Sequence, residues 1–86
     1  MNTYKLIIST PDGNAFEDEA ISVVVRGTEG ELAVMAGHIP FVTAVKPCDC
    51  RITLADESEK SAVIGGGILA VQSDKTTLLC SDFNWK

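Results

Sequence analysis

Short apolar runs, each ended by turn residues, make up nearly the whole chain, and no segment carries a helical stripe of ten or more residues. Tyr4 to Ser9 is the first run. It stops at Thr10-Pro11-Asp12-Gly13, where proline fixes φ and glycine accepts a positive φ. Asn14 to Glu17 reads as a short return strand. Glu19 to Arg26 alternates, with Ile21, Val23 and Val25 on one side and Ser22, Val24 and Arg26 on the other. Val24 on the nominally polar side hints at a second covered surface. After the turn at Gly27 to Gly30 come strands at Glu31 to Met35 and Phe41 to Val45, separated by the loop Ala36 to Pro40. Cys50 to Ala55 pairs with Ser61 to Gly65 across a polar turn, and Gly67 to Ser73 pairs with Thr76 to Cys80 around Asp74-Lys75. About ten short strands at regular spacing predict an all-β fold, an antiparallel β-sandwich or flattened barrel. One domain is expected over 1–82, with 83–86 a short tail that has no strand pattern.

With 86 residues, 45% of them apolar and 22% charged, the chain has the composition of an ordinary single globular domain. Its net charge of −5 repels phosphates, and no cluster of Lys or Arg reverses that locally, so nucleic acid is not an expected partner. Between Glu17 and Glu31 lie Glu17, Asp18, Glu19, Glu29 and Glu31 against the single base Arg26. This reads either as a solvated edge or as a docking surface for a basic or polar loop. The longest uncharged stretch, Ser61 to Ser73, contains three glycines and is shorter than the roughly 20 apolar residues of a membrane span. The first residues lack a signal pattern, which leads to the expectation of a soluble, cytosolic protein.

Candidate chemistry is sparse. Cys48, Cys50 and Cys80 are an odd count with no disulfide framework, and beyond them only His38 offers a metal ligand of the usual zinc type. In a strand, Cys48 and Cys50 share a face and suit packing. Gly65-Gly66-Gly67 is followed by Ile-Leu-Ala-Val, which is strand rather than the helix a phosphate loop needs. Glycines there permit a bulge or a close backbone approach, by a neighbouring strand or by a partner. No Gly-x-Ser-x-Gly elbow presents a serine, and the one histidine stands in a loop. No catalytic residue, metal site or cofactor is therefore expected.

Gly27-Thr28-Glu29-Gly30-Glu31-Leu32-Ala33-Val34-Met35-Ala36-Gly37-His38-Ile39-Pro40 closely resembles the signature of the epsilon subunit of F-type ATP synthases. Thr10 to Gly13 looks like that family's first turn. Thr43-Ala44-Val45-Lys46-Pro47 and Gly66-Gly67-Ile68-Leu69-Ala70-Val71 resemble two more of its segments, in order and spacing. Ala33 stands where the family usually has glycine, and Cys48 where glycine often follows Lys-Pro. The resemblance implies a ten-stranded sandwich in the central stalk of a proton- or sodium-translocating ATP synthase. Such a domain packs on the gamma subunit, sits on the c-ring and transmits torque without catalysing anything. It further implies a bacterial cytoplasmic location, peripheral on the inner face of the plasma membrane through the complex. Thr10, Glu29, Gly30, Glu31 and His38, with Pro40 closing the same signature, are the implied contacts with gamma and the c-ring. Apolar residues on the outer side of a strand, such as Val24, fit a docking patch. Family members usually continue into a pair of helices that can inhibit the enzyme and, in some, bind ATP; neither property carries over to a sequence read only to Lys86. The competing readings are a free-standing sandwich that binds a small ligand, which needs an aromatic-lined cleft, and a small metal-dependent enzyme, which needs more histidines.

Overall fold

The computed structural model describes residues 2–37 and 39–86. Among these residues nine strands follow one another: β1 (Tyr4–Thr10), β2 (Gly13–Gly27), β3 (Gly30–Met35), β4 (Phe41–Val45), β5 (Cys48–Leu54), β6 (Glu59–Ile64), β7 (Gly67–Val71), β8 (Lys75–Cys80) and β9 (Phe83–Trp85). The two strands expected at 14–17 and 19–26 are one strand, β2, of 15 residues. Straight, it would span about 50 Å at 3.3 Å per residue. The molecule measures only 29 Å along its longest axis, so β2 has to coil. The coil comes at Ala20 to Ser22, where the register with β5 slips.

β2 therefore serves two layers. Its first half pairs with β1 in the order β4-β7-β8-β1-β2, the first sheet. Its second half lies between β3 and β5 in the order β3-β2-β5-β6-β9, the second sheet. With β2 counted in both, the expectation of about ten strands is met. Every described pairing is antiparallel except β1 with β8, which is parallel. β1 fills the gap between β8 and the first half of β2, and its direction is set by its tight turn into β2.

The core lies between the two layers. Leu6 and Ile8 of β1, Val23 and Val25 of β2, Val34 of β3, Ile52 of β5, Ile64 of β6, Leu69 of β7 and Leu78 of β8 form one cluster, all removed from water. Each such side chain contributes about 1.5–3 kcal/mol relative to an exposed position. Cys48 and Cys50 do share the inward face, Cys50 fully buried and Cys48 half-buried against the cluster.

The glycine run answers to its own chain. A Cβ on Gly67 would overlap the carbonyl of Leu79 on β8, and one on Gly65 would collide with the side chains of Ser81 and Asp82. The tail is not loose either. Phe83 to Trp85 forms β9 on the edge of β6, with Phe83 against the core. Trp85 packs edge-on against Phe83 at 4.7 Å and Phe16 at 6.1 Å, and the Lys60 ammonium stands 5.2 Å over its ring. Nothing within this short segment signals a strand. The open edge of β6 makes it one.

Candidate functional site: two docking surfaces

Four of the residues singled out in the sequence gather at one end of the sandwich. Gly27 pairs with both Gly30 and Val45, and Gly67, Cys80 and Ser9 follow across the first sheet. Glu29, Gly30 and Glu31 lie at the β2–β3 turn on this end, and Thr10 lies at the β1–β2 turn on the same end. Thr10 is three strands further on from β4, roughly 14 Å at the usual spacing of about 4.8 Å. Its hydroxyl is occupied locally, donating to the Gly13 carbonyl at 3.1 Å and accepting the Asp12 N–H at 3.2 Å. Gly30 has a φ of 123°, which a side chain would strain. Pro40 is elsewhere: it precedes Phe41, which pairs with Val71 at the far end of β4. His38 lies outside the described residues.

The acidic cluster read in the sequence is divided by the fold. Glu17 pairs with Lys5 at 3.3 Å and accepts from the Asn14 amide at 2.9 Å. Those bonds hold its carboxyl below the ordinary value, the Asn14 bond contributing most. Glu19 accepts from Thr3, and Asp18 from the backbone N–H of Glu19. Glu31 instead faces Arg51 of β5 at 3.8 Å on the outer side of the second sheet. Val24 is half-buried there between Ala33 and Arg51, with Arg26 and Asp49 nearby. That surface is mixed: charged groups stand around Val24, while Ala33 lies beside it and the exposed Met35 and Val63 lie on the same outer side.

The apolar surface is on the first sheet. Val42 of β4 faces Ala70 of β7, Ala44 faces Ile68, Ile68 faces Leu79 of β8, and Ile7 of β1 faces Thr77. Val42 is 71% exposed, Leu79 51% and Ile68 48%, so the sheet presents a continuous apolar outer side. A sandwich whose core is complete gains nothing in folding by exposing such a row, and contiguous patches of this kind mark contact surfaces. The sequence carried one signal for it: Ile68-Leu69-Ala70-Val71 and Leu78-Leu79 are apolar at consecutive positions, where a sheet wet on one side alternates.

Among the described residues, the shifted thiols and the Tyr4 phenol are governed by burial. Burial pushes the Cys50 thiol up to about 12 and raises Cys80 too, which keeps both protonated and poorly nucleophilic. Burial raises the Tyr4 phenol, whose hydroxyl donates to the Val34 carbonyl at 2.8 Å and ties β1 to β3. No cluster of three His, Cys, Asp or Glu able to hold a metal occurs among the described residues.

Such a molecule is a small β-sandwich with a filled core and an exposed apolar row on the outer side of its first sheet. Residues 3–86 match the family model for the β-sandwich domain of the ATP synthase delta/epsilon chain, and the chain belongs to that family. It is 37% identical over 83 residues to the sodium-ion-specific ATP synthase epsilon chain of Acetobacterium woodii, covering 96% of this chain and 62% of that one. It is 35% identical over 79 residues to the ATP synthase epsilon chain of Polynucleobacter necessarius, covering 92% and 57%. The chain thus spans about three-fifths of the length of these curated relatives. The fold recurs in a chain of the Euglena gracilis mitochondrial ATP synthase (TM-score 0.90, 20% identity, 96% of this chain and 53% of that one). It recurs again in the central stalk and c-ring structure of the Tetrahymena thermophila enzyme (TM-score 0.78, 12% identity, 95% and 66%).

Proposed function

We propose that this domain is a non-catalytic rotor part of an F-type ATP synthase, joining the gamma subunit to the c-ring so that torque passes between them without slip. The observation that carries this reading is the apolar outer side of the first sheet, on a member of the epsilon-chain family whose core is already full. Gamma covers that face, and the c-ring meets the end formed by the Glu29–Glu31 turn. Buried apolar area supplies most of the affinity, while exposed charges such as Glu29 and Glu31 set orientation and contribute about 0–1 kcal/mol each. The task demands stiffness, which two closely packed layers with short turns provide, and it involves no cofactor. The domain is then peripheral to the membrane through the complex, on the cytoplasmic face in a bacterium. Isothermal titration of purified gamma into the domain, with a pull-down on isolated c-ring, tests the reading. Saturable one-to-one binding to gamma is expected, and retention on the ring lowered by Glu31→Lys. Absence of binding to either partner at high micromolar concentration would sink it.

A further inference from the structure

We propose that the open edge of β3 accepts a strand: an extended partner segment, apolar at alternate positions and basic where it passes Glu29 and Glu31, adds to the second sheet beside β3. The inference rests on the rotor reading, in which gamma, seated on the apolar face, supplies the segment, and on the edge itself for the mode of binding.

Among the described residues β3 pairs only with β2. Gly27 and Gly30 close a two-residue turn, so Val25/Leu32 and Val23/Val34 fall in the hydrogen-bonded register. The backbone groups of Glu31, Ala33 and Met35 then point away from β2. The Arg26 carbonyl, in the same alternating phase on β2, confirms the pattern by turning away from β3 to accept from Lys46 N–H at 2.9 Å.

The edge is also shaped and charged for an occupant. A cleft of 350 Å³ lies alongside, between the β2–β3 hairpin and β4, with the half-buried Leu32 and Phe41 in its lining and Val42 at its rim. Leu32 and Phe41 already pack on the core, so an apolar side chain entering there would continue it. Val42 belongs to the apolar face of the first sheet, so a partner seated on that face reaches this edge without a gap. From Thr28 to Met35 the only charges are the carboxylates of Glu29 and Glu31. Glu31 has a side chain 64% exposed and pairs with Arg51 at 3.8 Å, beyond hydrogen-bond distance, which leaves its carboxylate open to a second basic group. An incoming Lys or Arg is the complementary group. A second copy of this chain would bring its own net charge of −5 instead. Natural sheets hide or break long open edges, and main-chain addition with side-chain pockets is a standard mode of segment recognition.

The test is residue-resolved amide hydrogen exchange on the 86-residue chain. It is measured alone, with purified gamma–c-ring assembly, and with the blocked peptide Lys-Val-Lys-Val-Lys-Val-Lys at millimolar concentration. Exchange at Glu31, Ala33 and Met35 is expected to slow by about tenfold or more with either addition, while Leu32 and Val34 change little. Ala33→Pro removes one outward donor without touching the bonds to β2, and should weaken peptide binding roughly tenfold. The Glu-for-Lys peptide should bind more weakly still. Unchanged exchange at the three amides in the bound rotor assembly overturns the inference while leaving the rotor reading intact. An assembly that does not bind at all removes the rotor reading, and the peptide then decides the edge alone. Equal binding of both peptides, or protection that grows with chain concentration and no additive, also overturns it. Should Ala33→Pro fail to fold, the exchange data on the unaltered chain still decide.

Discussion

Ile68 and Leu79 stand opposite each other on β7 and β8 with about half of each side chain in water, so a partner on the first sheet must cover both. Truncation to alanine removes three carbons from each. At about 0.8 kcal/mol per buried carbon, three carbons correspond to about 2.4 kcal/mol, and the exposed half that docking would bury corresponds to about 1.2 kcal/mol. Ile68→Ala or Leu79→Ala alone should weaken gamma binding roughly sevenfold, and the pair roughly 50-fold if the two effects add. The other half of each loss falls on folding, so a control with the same exposure on the opposite face is needed. Val63, 44% exposed on the outer side of the second sheet, is that control. Val63→Ala should cost a comparable amount of stability and leave affinity unchanged. Isothermal titration against gamma reads the affinities, and thermal unfolding by circular dichroism reads the folding cost. A double variant that binds within twofold of the parent, or a Val63→Ala variant that weakens as much as Leu79→Ala, refutes the assignment of the docking face.

Three further outcomes follow from the packing and the ionisable groups. Gly67→Ala places a methyl group into the Leu79 carbonyl and should destabilise by about 2–3 kcal/mol, lowering the melting temperature by roughly 10 °C or more in calorimetry. Glu17 has its carboxyl held below its ordinary value of 4.5 by Asn14 and Lys5, so its bonds stabilise the fold above that pH and the benefit is lost as pH falls through the lowered value. The melting temperatures of Glu17→Gln and the parent should therefore differ at pH 7 and converge as the pH falls below 4.5 and through the lowered value; a gap that persists once the carboxyl is protonated would argue against the linkage. Cys48 is half-buried, whereas burial holds Cys50 up to about 12 and raises Cys80. A thiol reagent at pH 8 should label Cys48 first and the other two only on denaturation; rapid labelling of all three would show that the core opens readily.

The division of labour between sequence and fold is visible in particular elements. Alternation at Glu19 to Arg26 and turn chemistry at Thr10 to Gly13 and Gly27 to Gly30 act through neighbours in the chain, so strands, turns and the all-β class could be read from residue order. The same locality made the signature around Glu29 to Pro40 recognisable. What residue order could not supply was which strands become neighbours. β9 exists because β6 offers an edge, and one coiled strand replaces two because β2 has to serve both layers. Glu31 faces Arg51 and is separated from Glu17, because β3 and β5 flank the second half of β2 while Glu17 pairs in the first half. The apolar row through Val42, Ile68 and Leu79 is assembled from three strands, and Pro40 is carried to the end of β4 away from the Glu29–Glu31 turn. Hydrogen bonding across the sheet is what joins such distant segments, and sheet order is settled only by the whole chain burying its apolar sides at once.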